Sequence, residues 1–191
     1  MKKILITGGA GFVGSNTAIY FAKKGWSIYL IDNLSRKGTK NNLKSLKKNI
    51  KFKFYKVDVS NFSPISNLIK IIKPTLLIHC AGQVAVTTSV LDPRKDLNSN
   101  VLGTFNVLES IRIYSVKTKL INMSTNKVYG KIYDKKITES SKRYNFLGKI
   151  KNVDEKCPLD FYSPYGCSQG TADQYVRDYS RIYGLDTVVL R

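Results

Sequence analysis

The sequence predicts an α/β protein built on a doubly wound parallel sheet. Six short apolar segments alternate with segments of helical periodicity along the 191 residues, which is the pattern of strand–helix–strand crossovers. The first apolar segment runs directly into a glycine-rich turn, and no part of the chain repeats another. A chain of this length suits one domain, so residues 1–191 are expected to share a single core.

The elements follow in order from periodicity and from their stop signals. Strands are predicted at residues 4–6, 28–32, 52–57, 76–79, 119–123 and 187–190. Helices are predicted at residues 12–24, 41–48, 62–72, 93–114 and 163–183, and glycine or proline follows several of them. Residues 130–161 have no regular period and are expected to form a long polar insertion.

The turn after the first strand predicts a phosphate site. Gly9, Gly11 and Gly14 satisfy G-x-G-x-x-G, and Gly8, Gly11 and Gly14 satisfy the wider G-x-x-G-x-x-G spacing. Without side chains, these positions allow a tight turn and a close approach of backbone N–H groups to a pyrophosphate at a helix N-terminus. The residues expected to contact it are Gly8, Gly11, Phe12, Val13 and Gly14.

An acid at the end of the second strand predicts the nature of the ligand. Asp32 lies 18 residues after Gly14, close to the spacing of a carboxylate that binds the adenosine ribose of a dinucleotide. Asn33 begins the polar loop that follows and is expected to contact the same ligand. A carboxylate here favours NAD, because a 2′-phosphate would meet a negative charge, although Arg36 leaves room for NADP.

The ends of the next two strands add further cofactor candidates. Asp58 and Val59 follow the third strand, where Asp58 either meets the adenine or caps the helix beginning near Phe62. Ala81, Gly82 and Gln83 follow the fourth strand, and their small size suits a cofactor lying against the backbone.

Asn100 lies within the helix predicted at residues 93–114. Its amide is expected either to hold a backbone carbonyl near the site or to be a surface group.

Polar residues after the fifth strand and on the last helix are candidates for the groups that react with a substrate. Ser124 and Thr125 end that strand, where hydroxyls either hydrogen-bond a substrate oxygen or cap a turn. Tyr165 and Gln169 are four residues apart, so their side chains share one helix face and can reach the same ligand.

Composition limits the remaining possibilities. The net charge is +19, but 25 of the 32 basic residues are lysines dispersed without interleaved aromatic residues, so no nucleic-acid partner is expected. No apolar run of membrane-spanning length occurs, which predicts a cytoplasmic protein without a membrane partner. Three cysteines without C-x-x-C spacing and a single histidine, His79, expected to be buried at a strand end, predict no metal site.

Taken together, these motifs identify a family resemblance. Gly8-x-x-Gly11-x-x-Gly14, Asp32, Asp58-Val59, Ser124-Thr125 with Val128-Tyr129-Gly130, and Ser163-Pro164-Tyr165-Gly166 resemble the NAD-dependent nucleotide-sugar epimerases and dehydratases of the extended short-chain dehydrogenase/reductase family. The resemblance implies a Rossmann fold with tightly held NAD. It also implies Tyr165 as the base that takes a sugar hydroxyl proton, Thr125 as a hydrogen-bonding hydroxyl, and Ser124 beside the cofactor.

Four stretches resemble the family members that epimerise CDP-sugars at C2: residues 32–38, 81–89, 124–130 and 163–179. This implies a nucleotide-activated sugar, a CDP-sugar, as substrate, with Gln83 and Thr87 lining the nicotinamide and sugar region. Family members also pair through two long helices, here residues 93–114 and 163–183, which implies a homodimer. Their smaller C-terminal substrate domain is expected to be absent from residues 1–191.

One position departs from the family pattern. The motif Tyr-x-x-x-Lys places a lysine where this chain has Gln169, and glutamine supplies no charge to assist proton removal by a tyrosine, which ordinarily titrates near pH 10. The alternatives are therefore an NAD-dependent epimerase and a catalytically impaired NAD-binding remnant or binding module. A 4-epimerase or a dehydratase of the same family is a weaker alternative. Asn126 and Lys127 stand where dehydratases typically carry an acidic pair.

Overall fold

A six-stranded parallel sheet forms the centre of the protein. The computed structural model describes residues 1–130, 136–147 and 153–191. Its strands are β1 (Lys3–Thr7), β2 (Ser27–Asp32), β3 (Lys53–Lys56), β4 (Leu76–His79), β5 (Lys119–Met123) and β8 (Thr187–Leu190). They lie in the sheet in the order β3-β2-β1-β4-β5-β8. The predicted doubly wound α/β fold is confirmed. Each strand begins and ends within two residues of its predicted range.

Helices connect these strands and cover both faces of the sheet. The helices are α1 (Phe12–Lys23), α2 (Thr39–Asn49), α3 (Phe62–Ile72), α4 (Val86–Leu91), α5 (Pro93–Asp96), α6 (Gly103–Tyr114) and α7 (Ser163–Tyr183). A π-helical segment, Leu97–Leu102, joins α5 to α6, and a 3₁₀ helix, Asn126–Tyr129, follows β5. Within the described residues, no helix combines the length and apolar character needed to span a membrane.

The strand order reverses beside β1, and this reversal places the functional site. Successive strands β1, β2 and β3 extend the sheet in one direction, whereas β4, β5 and β8 extend it in the other. Thr7, at the end of β1, pairs with Ile31 on one side and with His79 on the other. The connections that leave β1 and β4 therefore diverge, and a crevice opens between them at the carboxyl edge of the sheet.

Alternate residues of β1 supply the two halves of the core. Ile4 and Ile6 pack in the cluster that includes Leu30 and Ala18, while Leu5 packs with Leu77 in the cluster on the opposite face. All six side chains are completely buried. A parallel strand covered on both faces needs such an uninterrupted apolar run, which explains why β1 shows no alternation with polar residues.

Three local features were not predicted from the sequence. The polar run Thr87–Ser89 lies inside helix α4, and the predicted helix 93–114 contains the π-helical segment. The predicted insertion 130–161 contains an antiparallel pair, β6 (Ile137–Glu139) with β7 (Tyr144–Phe146). The rest of that insertion includes residues 131–135 and 148–152, which lie outside the described residues. These elements are short, and their pairing depends on tertiary contacts that periodicity does not report.

Candidate dinucleotide and active site

A cleft of about 550 Å³ opens at the carboxyl edge of the sheet. Twelve residues predicted to bind a cofactor line it: Gly8, Gly11, Phe12, Val13, Gly14, Asp32, Asn33, Asp58, Val59, Ala81, Gly82 and Gln83. They come from the ends of four adjacent strands and the start of α1. The cleft extends from the ends of β2 and β3 to the loop after β4, as an extended ligand requires.

The glycine turn has no room for side chains at two decisive positions. Gly8 has a φ of +63°, and a Cβ there would lie 2.7 Å from the carbonyl carbon of Cys80. A Cβ on Gly14 would lie 2.3 Å from the carbonyl oxygen of Gly8. The turn therefore packs directly against the end of β4, and α1 begins in contact with the turn. The G-x-x-G-x-x-G spacing is a consequence of these contacts.

The N-terminus of α1 presents donors to the cleft. The N–H of Ser15 donates to Gly11 O at 3.0 Å, and no side chain caps the helix. An α-helix leaves the N–H groups of its first turn without intrahelical acceptors, here those of Phe12, Val13 and Gly14. The Phe12 side chain is 81% exposed although it is apolar. Together with the helix dipole, these amides form a site for an anion such as a pyrophosphate.

Asp32 is fixed between the glycine turn and its own loop. One carboxylate oxygen accepts the N–H of Ala10 at 3.1 Å, and the other accepts the N–H of Leu34 at 2.7 Å. The side chain is only 9% exposed but lines the cleft. Asn42 on α2 donates to Ala10 O at 2.9 Å, so the peptide groups on both sides of Ala10 are held. The carboxylate predicted for the ribose therefore has a defined orientation.

Asp58 joins this wall of the cleft and does not cap a helix. It accepts hydrogen bonds from Asn33 Nδ2 at 2.7 Å and from Ser60 N and Oγ at 2.9 and 2.7 Å. Helix α3 instead begins after Asn61, whose side chain makes no capping bond. Burial raises the pKa of Asp58, but these hydrogen bonds outweigh burial and lower it overall. The capping alternative for Asp58 was wrong because the chain turns at Ser60 before the helix starts.

The loop after β4 forms the opposite wall and is held by Asn100. Asn100 Oδ1 accepts the N–H of Gln83 at 2.7 Å, and its Nδ2 lies 3.3 Å from Gln83 O. Asn100 is only 2% exposed, so the surface-amide alternative was wrong and the carbonyl-holding alternative matches the contacts. It does not itself line the cleft. The Gln83 side chain binds the backbone of Ala85, which fixes it against its own loop.

The proposed reacting groups lie beyond this wall. Tyr165 and Gln169 are both 8% exposed and occupy consecutive turns of α7. A Cβ on Gly82 would lie 3.4 Å from Gln169 Nε2, so that amide packs against the loop that lines the cleft. The backbone N–H of Tyr165 donates to Ser89 Oγ at 3.1 Å, which ties the start of α7 to α4.

The two hydroxyls after β5 have different partners. Thr125 Oγ1 accepts the N–H of Lys127 at 3.3 Å and caps the 3₁₀ helix, which leaves its own proton available to a ligand. Ser124 Oγ donates to Asp173 at 3.1 Å, and Asp173 also forms a bidentate ion pair with Arg191. Neither hydroxyl lines the cleft, so the structure does not bring Ser124 to the cofactor position predicted for it.

The single histidine has a structural role. His79 is 2% exposed, and its ring nitrogens lie 2.6 Å from Thr7 Oγ1 and 3.2 Å from Thr104 Oγ1. Burial lowers its pKa to about 4, so the ring is neutral near pH 7. The predicted buried histidine is confirmed. Among the residues that the structure describes, no three His, Cys, Asp or Glu side chains are grouped as metal ligands.

Sequence reasoning missed several residues of the site. The cleft is also lined by Ile31, Ser35, Arg36, Thr39, Val57, Cys80, Val84, Ala85, Thr88, Lys95 and Ser99. Arg36 was considered only as a residue that could allow NADP to bind. Lys95 follows the Asp-Pro start of α5 and belongs to no recognisable motif. Its place in the cleft depends on how α5 packs. Burial raises the pKa of the Cys80 thiol to about 12, so this wall residue is an unreactive neutral group.

The fold and the cleft are those of a dinucleotide-binding protein, and comparison assigns the family. The family model described as GDP-mannose 4,6 dehydratase matches residues 5–191. The chain therefore belongs to this family, within the NAD-dependent epimerases and dehydratases of the extended short-chain dehydrogenase/reductase type.

The individual relatives include both epimerases and dehydratases. The chain is 47% identical over 189 residues to CDP-paratose 2-epimerase of Salmonella typhi, covering 99% of this chain and 56% of the relative. The structure of the UDP-Glc/GlcNAc 4-epimerase of Campylobacter jejuni matches with a TM-score of 0.84 at 31% identity, covering 100% of this chain and 53% of that one.

The UDP-glucose 4-epimerase of Thermus thermophilus, solved in complex with NAD, matches with a TM-score of 0.79 at 31% identity. This match covers 99% of this chain and 54% of that chain. The chain thus spans about half the length of the relatives that it matches.

Proposed function

We propose that this chain carries the cofactor-binding and proton-transfer groups of an NAD-dependent nucleotide-sugar epimerase of the CDP-paratose 2-epimerase kind. The observation that carries the proposal is the cleft: a turn whose Gly8 and Gly14 have no room for side chains, an uncapped helix N-terminus and an oriented Asp32 in one cavity. The 47% identity to CDP-paratose 2-epimerase over nearly the whole chain supports the choice of substrate class, a CDP-sugar.

The residues of the cleft fit NAD. Because Gly8 and Gly14 have no side chains, the turn and α1 pack closely together, and Gly8, Gly11 and Gly14 line the cleft where a pyrophosphate would contact the backbone. Asp32 faces the cleft with both oxygens fixed, which suits ribose hydroxyls and disfavours a 2′-phosphate. The same fold in Thermus thermophilus UDP-glucose 4-epimerase was solved with NAD. When bound, NAD supplies reversible hydride acceptance, which inversion of a hydroxyl-bearing carbon requires.

The chain's own residues supply the proton transfer. Tyr165, as phenolate, is the group that takes the proton from the sugar hydroxyl and later returns it, so the enzyme regains its starting protonation state. Thr125 retains a hydroxyl proton to donate to the sugar oxygen. The burial of Tyr165 excludes water around the phenol and strengthens its interactions with neighbouring dipoles.

Gln169 limits this chemistry. Its amide can donate hydrogen bonds toward the ligand beside Gly82 but provides no positive charge to stabilise a phenolate. This single observation supports a second candidate function, a protein that binds NAD in the same cleft without turning over a sugar. The two candidates share the cleft and differ only in what the Tyr165–Gln169 pair accomplishes.

The deciding experiment is an NMR assay of CDP-paratose and CDP-tyvelose interconversion, run with added NAD. It is carried out on this chain and on any longer form of the protein that contains it. The epimerase proposal predicts slow interconversion that Tyr165→Phe abolishes while NAD affinity changes less than about threefold. NAD binding without interconversion in any form, including Gln169→Lys, would overturn the epimerase and leave the binding protein.

We also propose a homodimer that pairs through α6 and α7. Both helices carry exposed apolar or aromatic side chains, including Ile113, Tyr175 and Ile182. Sedimentation velocity at several protein concentrations tests the pairing. A dimer that Ile182→Lys converts to monomer supports it, and a monomeric wild-type protein at all concentrations contradicts it.

A further inference from the structure

A buried carboxyl group lies where α5 meets α7, outside the residues discussed so far. Asp96 is completely buried, and its Oδ1 atom has no hydrogen-bond partner among the described residues. Its Oδ2 atom accepts the Ser168 hydroxyl at 2.7 Å and lies 3.4 Å from Asn100 Nδ2. Burying a carboxyl group with one unpartnered oxygen costs free energy of folding. We therefore expect Asp96 to have a role that its contacts define.

One contact of Asp96 leads to the wall of the cleft. Asn100 is four residues further along the same continuous helix and holds both the N–H and the carbonyl of Gln83. A Cβ on Gly82 would lie 2.8 Å from Asn100 Oδ1, so the amide is in close contact with the loop. Rotation of the Asn100 side chain would break its hydrogen bond to the Gln83 N–H, so the orientation of Asn100 restrains the Gly82–Gln83 segment.

The other contact leads to the proposed reacting groups. Ser168 Oγ accepts from Asn100 Nδ2 at 2.9 Å and lies 3.1 Å from the carbonyl oxygen of Tyr165. The Ser168 hydroxyl has one proton, and the shorter contact indicates that it donates this proton to Asp96 at 2.7 Å rather than to the Tyr165 carbonyl. Ser168 directly precedes Gln169 on α7. Asp96 thus joins the helix that carries the proposed base to the amide that holds the cleft wall.

The backbone around this group is also irregular. The π-helical segment begins at Leu97, immediately after Asp96, and includes Asn100. Such segments occur frequently at functional sites, because the extra residue per turn redirects side chains. Burial raises the pKa of Asp96, the Ser168 hydrogen bond opposes this, and the charge of Asp92 adds to the rise.

We propose that Asp96 is a positioning residue that, through Asn100 and Ser168, holds the Gly82–Gln83 wall of the cleft in register with the Tyr165–Gln169 turn of α7. The proposal deepens the proposed function and rests on it for its effect on the cofactor. Its structural part, the restraint on Gln83, is independent of any ligand. Asp96 acts through its neighbours and is not itself a catalytic residue.

The first test is NMR-detected hydrogen exchange of the Gln83 amide, whose acceptor is Asn100 Oδ1. Asp96→Ala is expected to accelerate this exchange about tenfold relative to amides of β1 and β2. Asp96→Asn is expected to restore it to within about threefold, because an amide oxygen can replace Oδ2 as acceptor for both donors. Asp92→Asn is the matched control, because Asp92 is exposed and its side chain accepts the Lys95 N–H rather than a donor from Asn100 or Ser168.

A folded Asp96→Ala protein with unchanged Gln83 exchange overturns the proposal, as does an Asp96→Asn protein that exchanges as fast as Asp96→Ala. If Asp96→Ala does not fold, Ser168→Ala removes one donor with little loss of volume. That variant is expected to accelerate Gln83 exchange three- to tenfold, and an unchanged rate overturns the proposal.

The second test measures NAD affinity by calorimetry. Asp96→Ala is expected to weaken binding about tenfold, and Asp96→Asn to restore it. A wild-type protein that does not bind NAD overturns the proposed function, while the exchange experiment still decides the role of Asp96. Normal NAD affinity in Asp96→Ala with accelerated Gln83 exchange would overturn the link to the cofactor.

Discussion

The two halves of the site are built in different ways. The half over β1, β2 and β3 consists mainly of backbone: the glycine turn, the first turn of α1, and one acid that two backbone amides fix. The half over β4, β5 and α7 consists of side chains from three separate segments, represented by Asn100, Thr125, and the pair Tyr165 and Gln169 on α7.

This difference determines how each half responds to substitution. Backbone donors remain whatever the side chains are, as long as the glycines allow the turn to form. Side-chain chemistry depends on each residue type. Glutamine at position 169 is therefore enough to leave the site without the lysine cation of the Tyr-x-x-x-Lys motif. Binding of a dinucleotide is therefore expected to be robust, and turnover is expected to depend on single residues.

Restoring the cation tests the side-chain half. Gln169→Lys is expected to raise the rate of sugar epimerisation about 10- to 1000-fold, one decade for each unit by which a nearby positive charge favours the phenolate. NAD affinity should change little, because the backbone half is untouched. The measurement is a single-turnover rate at pH 7. Gln174→Lys, on the same helix, is the control and should leave the rate unchanged, whereas equal gains from both variants would refute a local effect.

The junction of the halves, at β1 and β4, should be sensitive to acid. His79 has its pKa lowered from 6.5 to about 4, so its contribution to stability is complete above pH 6.5 and is lost as the pH falls toward 4. The loss amounts to about 3 kcal/mol in free energy of unfolding. Urea unfolding at pH 7 and pH 4 measures it. His79→Gln should remove this part of the pH dependence, and identical pH profiles for both proteins would contradict the explanation.

Adding one carbon to the glycine turn tests the backbone half. Gly14→Ala places a Cβ 2.3 Å from the Gly8 carbonyl oxygen, so the turn must open or α1 must shift. NAD affinity is expected to fall about 100-fold, as an overpacking cost of about 3 kcal/mol implies. Gly25→Ala is the control, because Gly25 has a φ of +76° but no neighbour within 4 Å of its Cβ position. Equal losses of affinity would attribute the effect to general destabilisation.

The smallest expected effect concerns the oriented acid. Asp32→Asn replaces one oxygen that accepts a backbone N–H with an amide that cannot accept it. We expect NAD affinity to fall about tenfold and the preference over NADP to shrink. Calorimetric titration with both dinucleotides measures this. Asp186→Asn, at an exposed ion pair with Lys119, should change neither affinity.

The predicted parts of the protein are those whose signals are local in the sequence. Apolar strands such as Leu76–His79 and the G-x-x-G-x-x-G spacing reflect burial and backbone contacts within a few residues of each motif. Asp32 was predictable because the length of one helix fixes its distance from the turn. The fold and the lining of the cleft on that side therefore followed from the sequence.

The features that were missed depend on long-range partners. Nothing near Asp96 in the sequence indicates Ser168, which is 72 residues away, and nothing near Ser124 indicates Asp173. The exposed hairpin formed by Ile137–Glu139 and Tyr144–Phe146 has too little apolar periodicity to be seen. Side-chain networks of this kind become visible only when the helices have been placed against the sheet.

Binding of NAD in the cleft is tested most directly by an NMR titration of the protein with NAD, following the backbone amide signals of both halves. We expect large shifts at Phe12, Val13 and Gly14, smaller shifts at residues 32–34 and 81–83, and none near Gly184. Absence of shifts at the start of α1, or shifts confined to the region of Lys127 and Arg191, would contradict it.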